Sequence, residues 1–69
     1  MSNKTLTKEI GYAVKKAMRK YNVNAEYVAE KCYVSTGTVY NILEGKPVAF
    51  ETMLLVLTFL NIKLEVKTL

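Results

Sequence analysis

The stretch of residues 32–47, CYVSTGTVYNILEGKP, contains both the start and the stop of a short helix. Ser35 is a residue type that caps helix N-termini, while Gly45 and Pro47 are typical of a helix end. The apolar residues between these signals recur at helical spacing and are Val39, Ile42 and Leu43. Signals this closely spaced predict a short third helix, which needs neighbours to cover its apolar side.

Two helices are predicted before this stretch. Thr7 can cap the first helix, in which apolar residues recur at three- and four-residue steps and which ends near Asn22. Asn24 then caps a short second helix, AEYVAEKC, and residues 33–34 form the turn to the third. The inner face of the second helix is predicted to consist of Ala25, Val28, Ala29 and Cys32.

The C-terminal part of the chain changes from helix to strand periodicity. A loop over residues 46–49 leads to a fourth helix over residues 50–60, which ends at Asn61. Beyond it, apolar and charged residues alternate as in a β-strand. The expected fold is therefore mainly α, with four helices and a C-terminal strand over residues 62–69 that has no partner strand within the chain.

Length and charge set further limits. The 69 residues are expected to form one domain, 1–69. A chain this short buries only about 60% of its unfolded surface, so a partner subunit would add to a marginal core. Residues 1–20 hold six basic side chains and one acidic side chain, a net charge of +5, whereas the remainder carries −1. A basic segment favours a polyanionic partner, although a solvated lysine-rich face has the same composition.

Several function classes are disfavoured by missing residue types. The chain has no histidine and a single cysteine, Cys32, so we expect no internal disulfide, no metal, no cofactor and no enzyme activity. Cys32 is most simply a small buried apolar residue. The N-terminal segment lacks the apolar run of a signal peptide, and the stretch MLLVLTFL is too short to cross a bilayer. These features predict a cytoplasmic protein without membrane association.

Two short helices joined by a tight turn, with the small Ala29 where they cross, are typical of a helix-turn-helix. At this point the chain resembles the Cro and repressor family of helix-turn-helix DNA-binding proteins of phages and bacteria, which have a lambda-repressor-like fold. The resemblance runs from about Ile10 to Ile62. It is carried by Gly11, NAEYVAEK, VSTGTV, the EGK ending and FETMLLVLTFL.

The resemblance implies that the third helix enters the major groove of double-stranded DNA. The family's base-facing positions fall on Thr36, Gly37, Tyr40 and Asn41, with Thr38 beside them. These residues are uncharged, yet asparagine can bond adenine bidentately and a threonine methyl can pack on thymine. Phosphate contacts are implied for the helix-start positions and the following loop: Asn24, Ala25, Ser35 and Lys46. The alternative is an ordinary polar surface.

The chain departs from the family pattern at several positions. Ala25 replaces a phosphate-contacting glutamine, and Tyr33 replaces a glycine of the turn. If the turn keeps its left-handed residue, a tyrosine there costs about 1 kcal/mol; otherwise the turn is reshaped. Many relatives pair an arginine of the first helix with a glutamate of the third, where this chain has Met18 and Leu43. Because loss of one charge alone would leave the other unpaired, we expect these two apolar residues to be in contact.

The fourth helix is apolar nearly all round, since Leu55 and Phe59 stand at positions that the family normally leaves polar. Such a helix and an unpaired strand both need a second covering surface. A two-fold homodimer with antiparallel strand pairing would supply it. Its shared core would contain Leu55, Phe59, Ile62, Leu64 and Val66. Alternatively, the strand folds back on its own domain.

The expected function is that of a sequence-specific transcription regulator, a dimeric Cro-like repressor. Its two recognition helices would enter successive major grooves about 34–36 Å apart, which predicts a pseudo-palindromic operator. Two alternatives stay open. One is an antitoxin-type DNA-binding protein that also binds a toxin, and the other is an interaction module with the same fold that does not bind DNA.

Overall fold

The computed structural model describes residues 3–62, and this part of the chain contains four helices. They are α1 (Asn3–Tyr21), α2 (Ala25–Cys32), α3 (Thr36–Leu43) and α4 (Phe50–Phe59). The prediction of a mainly α fold is confirmed for these residues. The predicted strand falls outside the described residues except for Ile62, so Leu64 and Val66 lie outside them as well.

Helix α1 is longer than the sequence predicts at its N-terminus. It begins at Asn3, so the prediction that Thr7 caps it was wrong, and Thr7 lies inside the helix. No glycine or proline stands before Thr7 to oppose helix formation, which allows the helix to extend toward the N-terminus. At the other end the prediction is confirmed, because Asn22 adopts the left-handed conformation with φ = 56° directly after Tyr21.

Helices α2 and α3 begin at the two predicted capping residues. Asn24 Oδ1 accepts a hydrogen bond of 2.8 Å from the Tyr27 amide, and Ser35 Oγ accepts one of 3.1 Å from the Thr38 amide. Each bond satisfies an N-terminal amide that has no partner inside its own helix. Two predicted N-caps are thereby confirmed.

The turn between α2 and α3 depends on Tyr33, which is left-handed with φ = 58° and ψ = 41°. The amide of Val34 closes the turn by donating to the Ala29 carbonyl over 3.0 Å. The turn therefore keeps its left-handed residue rather than being reshaped, and a side chain in this conformation costs about 1 kcal/mol. Tyr33 gains no compensating burial within the described residues, since its side chain is 94% exposed.

The core lies where α3 packs against α1 and α2, and where α4 packs against α2. It contains only apolar residues: Ile10, Val14, Met18, Ala25, Val28, Ala29, Cys32, Val39, Ile42, Met53, Val56, Leu57 and Leu60. The inner face predicted for α2 is thereby confirmed. Leu43 is half-buried and packs against the same core that contains Met18, so both members of the predicted apolar pair belong to one cluster.

Gly11 sets the distance between α1 and α3. A Cβ atom at this position would lie 2.5 Å from the Ile42 carbonyl oxygen and 3.0 Å from that of Leu43. Both contacts are with backbone, which cannot move aside as a flexible side chain would. The two helix backbones therefore approach as closely as they do only because residue 11 lacks a side chain.

Backbone conformation determines the loop from α3 to α4 and the ends of α4. The chain reverses after α3 through Gly45, with φ = 75°, while the amide of Lys46 donates to the Asn41 carbonyl over 2.8 Å. No side chain caps α4 at Ala49, and the helix ends at Phe59, one residue before the predicted end.

No helix within residues 3–62 is long and apolar enough to span a membrane.

We predict that Gly11→Ala lowers the free energy of unfolding by about 1–3 kcal/mol, because the added methyl group forces α1 away from α3. The measurement is urea denaturation followed by circular dichroism at matched protein concentration. Gly37→Ala is the matched control, since the nearest atom to its added Cβ is Ser35 Oγ at 3.9 Å. The control should keep or gain stability, since alanine is favoured over glycine in a helix. Equal stability of both variants would contradict the close approach.

Candidate nucleic-acid interface

Helix α3 presents a polar face on the side opposite its buried residues. Gly37 and Tyr40 are exposed, while Thr36 and Asn41 are half-buried. At 3.6 residues per turn, these four positions cluster on the helix side that faces away from the core. The structure therefore brings together four of the five residues that the sequence proposes for base contact.

Thr38, the fifth of these residues, is placed differently. It is half-buried on the flank of α3, and its hydroxyl oxygen lies 2.7 Å from Ser35 Oγ. The Thr38 amide also donates to Ser35 Oγ. Thr38 thus reinforces the N-cap of α3, although a hydroxyl pair of this kind keeps further hydrogen-bonding capacity.

The N-terminus of α2 and that of α3 supply neutral groups suited to phosphate oxygens. Asn24 and Ser35 are exposed, whereas Ala25 is buried and has no polar side-chain atom, so its amide is the one group it could offer to a phosphate. The first amides of a helix have no intrahelical acceptor and lie at the positive end of its dipole. All three predicted helix-start positions can therefore contribute donors, each from the backbone or from a capping side chain.

Lys46 supplies a positive charge three residues after the end of α3, a helix that carries no charged side chain of its own. Its Nζ lies 2.9 Å from Glu44 Oε1, and both side chains are exposed. An exposed ion pair of this kind is worth only about 0–1 kcal/mol. Lys46 can therefore leave Glu44 for another anion at little cost.

A second candidate surface is apolar and lies on α2 and α4. Leu55 is 53% exposed and Phe59 is 40% exposed. The Phe59 ring packs against that of Tyr27, with 6.2 Å between ring centroids. Tyr33 and Leu54 border a groove that Leu55 and Phe59 also line. We term these exposed residues the α2–α4 apolar surface: Tyr27, Tyr33, Leu54, Leu55 and Phe59.

Three members of the α2–α4 apolar surface were missed by sequence reasoning, namely Tyr27, Tyr33 and Leu54. Leu54 lies next to Leu55 in a helix that is apolar nearly all round, so the sequence pattern of α4 already indicated that Leu54 could belong to this surface. Tyr27 belongs to α2, and only the packing of α2 on α4 brings its ring to Phe59. Tyr33 was recognised as a turn residue, but its exposure could not be deduced from its position in the sequence.

Ile62, another residue proposed for the dimer interface, is half-buried against the core of its own chain. Its amide donates to the Leu57 carbonyl over 2.9 Å, which fixes the chain direction just after α4. Part of its side chain is thus already covered within the described residues. Leu64 and Val66 lie beyond the described part of the chain.

The remaining chemistry of the described residues is limited. Cys32 is buried, its thiol lies 3.8 Å from the Leu55 carbonyl oxygen, and burial raises the pKa of that thiol. A raised pKa disfavours the thiolate, which is the nucleophilic form. Within residues 3–62, no group of three or more Cys, Asp or Glu side chains is placed to hold a metal ion.

Comparison of the chain with protein-family models, with curated proteins and with solved structures gave no match.

We predict that Ser35→Ala lowers the free energy of unfolding by about 1 kcal/mol, because α3 loses its N-cap. Ser35→Asp should retain most of the stability, since aspartate is an equally good capping residue. Urea denaturation of both variants provides the measurement. A Ser35→Asp variant as unstable as Ser35→Ala would show that the hydroxyl contact with Thr38, rather than the cap, stabilises this end of α3.

Proposed function

We propose that the protein is a sequence-specific DNA-binding transcription regulator that uses α2, the turn and α3 as a helix-turn-helix of the Cro and repressor type. The observation that carries this proposal is the polar face of α3, where Gly37 and Tyr40 are exposed and Thr36 and Asn41 are half-buried. Such a regulator would act in the cytoplasm, by occupying an operator.

The side chains of this face suit the edges of DNA bases. Asn41 can donate to N7 and accept from N6 of adenine, and Thr36 offers both a hydroxyl and a methyl group. Each good base contact contributes about 1–3 kcal/mol of discrimination against a wrong base. Gly37 leaves open space at the start of α3, which favours close approach of the helix backbone to the groove.

Attraction to the phosphate backbone would come from groups around α3 rather than from α3 itself. Lys46 lies in the loop after α3, and the N-termini of α2 and α3 present amides and capping side chains. Neutralising phosphates supplies much of the affinity of DNA-binding proteins, while base contacts supply the sequence information. The arrangement supports this separation of roles because the candidate reading face is uncharged.

We further propose that two copies associate through the α2–α4 apolar surface and the C-terminal segment, residues 62–69. Exposed Leu55 and Phe59 support this proposal, since adjacent exposed apolar residues mark interaction surfaces. A two-fold dimer would present two copies of α3 to successive major grooves. The operator would then be pseudo-palindromic.

The α2–α4 apolar surface also favours a second candidate function, an interaction module that binds another protein, such as a toxin, through the same residues. The two functions differ in their response to DNA. Binding to a selected sequence that weakens steeply with salt supports the regulator. Absence of DNA binding, combined with a stable complex with a different protein, supports the interaction module.

We predict that Asn41→Ala loses about 1–3 kcal/mol of discrimination at one base pair of each half-site, because a bidentate contact disappears. Lys46→Ala should weaken binding to all sequences alike and reduce the salt slope by about 1. Fluorescence anisotropy on sites obtained by in vitro selection provides the measurement. Equal binding of the wild type to all sequences would exclude a base-reading role for Thr36, Tyr40 and Asn41.

For the dimer, we predict that Leu55→Lys and Phe59→Lys each convert the protein to a monomer at micromolar concentration, because a charge would have to be buried in the interface. Sedimentation velocity provides the measurement. Tyr12→Lys is the control, since Tyr12 is an aromatic residue of α1 with 72% exposure that lies outside the α2–α4 apolar surface. A monomeric wild type would contradict the proposed association.

A further inference from the structure

The second turn of α1 and the loop after α3 are in close contact although they are distant in sequence. Gly45 has φ = 75°, and a Cβ atom built on it would lie 3.1 Å from Lys8 Cγ and 3.3 Å from Lys8 Cα. The chain reversal at Gly45 thus packs the loop on the backbone and the aliphatic stem of Lys8. Lys46, the next residue, follows directly from this contact.

Lys8 and Lys46 therefore project from adjacent backbone at the C-terminal end of α3. Both side chains are exposed. In the described part of the chain, Lys46 is paired with Glu44, while Lys8 takes part in no ion pair. The last turn of α3 carries no basic residue, so the positive charge at this end of the helix is supplied by α1 and the loop.

We propose that Lys8 is a further DNA phosphate-contacting residue that acts together with Lys46 on the backbone beside the groove occupied by α3. The inference rests on the proposed function, because it takes α3 as the helix that enters the groove. A strand that passes the C-terminal end of α3 would meet both ammonium groups. Contact with phosphate would also replace the pairing of Lys46 with Glu44.

A purely structural role for Lys8 makes different predictions. A cation near a helix C-terminus interacts favourably with the helix dipole, which would stabilise α3 without any DNA. Removal of the charge would then lower stability and leave the salt dependence of DNA binding unchanged. Lys8→Met separates the two roles because methionine keeps an unbranched apolar stem for packing on Gly45 while it removes the ammonium group.

The experiment measures the affinity of the full chain for a selected DNA site over a series of salt concentrations. Lys8→Met should weaken binding about five- to tenfold at low salt and reduce the salt slope by about 1, as expected for one lost phosphate contact. Lys8→Arg should restore both quantities. Lys20→Met is the matched control, because Lys20 is an exposed residue about 18 Å farther along α1 at 1.5 Å per residue.

Lys20→Met should change the affinity less than about twofold, since its charge acts only through the screened long-range field. If Lys8→Met and Lys20→Met have the same affinity and salt slope while Lys46→Met weakens binding, the role of Lys8 is overturned and the proposed function stands. If the wild type itself lacks salt-sensitive DNA binding, both proposals fail. A loss of stability in Lys8→Met with an unchanged salt slope assigns Lys8 to the helix dipole instead.

Discussion

The close contact between α1 and α3 at Gly11 is the constraint on which the rest of the structure depends. With no side chain at this position, the α1 backbone reaches the carbonyl groups at the end of α3. That crossing buries Val39 and Ile42, so the polar residues of α3 must face outward. The same crossing brings Lys8 against Gly45. The candidate reading face and the charges beside it are thus consequences of one backbone approach.

Charge and hydrogen-bonding capacity are separated in space around α3. The helix itself carries no charged residue, whereas Lys8 and Lys46 lie at its C-terminal end. The helix-start amides lie at the N-termini of α2 and α3. An uncharged face avoids the desolvation cost that charged groups would incur in a tight interface. In the proposed mechanism, the surrounding cations would supply long-range attraction to DNA and would remain hydrated until contact. This separation is the physical basis of the proposed DNA-binding mechanism.

The α2–α4 apolar surface contains a strained backbone position and exposed apolar side chains that nothing in a single chain stabilises or covers within the described residues. Tyr33 adopts a left-handed conformation and is 94% exposed. Burial against the other described residues therefore offsets neither its backbone strain nor the exposure of its ring. Leu55 and Phe59 lie nearby on a helix whose opposite side already fills the core. Coverage by a second copy would remove this apolar area from water, which is the main favourable contribution in most associations. The proposed dimer thus accounts for residues that a monomer leaves unexplained.

The sequence by itself determined where the helices of the middle region begin and end, because capping is local. Asn24, Ser35 and Gly45 act on amides and carbonyls only a few residues away, and their roles were predictable. The start of α1 was not, since the sequence there holds a possible cap but no residue that opposes a longer helix. The polar face of α3 was also predictable from periodicity. The approach of Lys8 to Gly45, the pairing of Tyr27 with Phe59 and the exposure of Tyr33 depend on how helices cross, which only the tertiary structure decided.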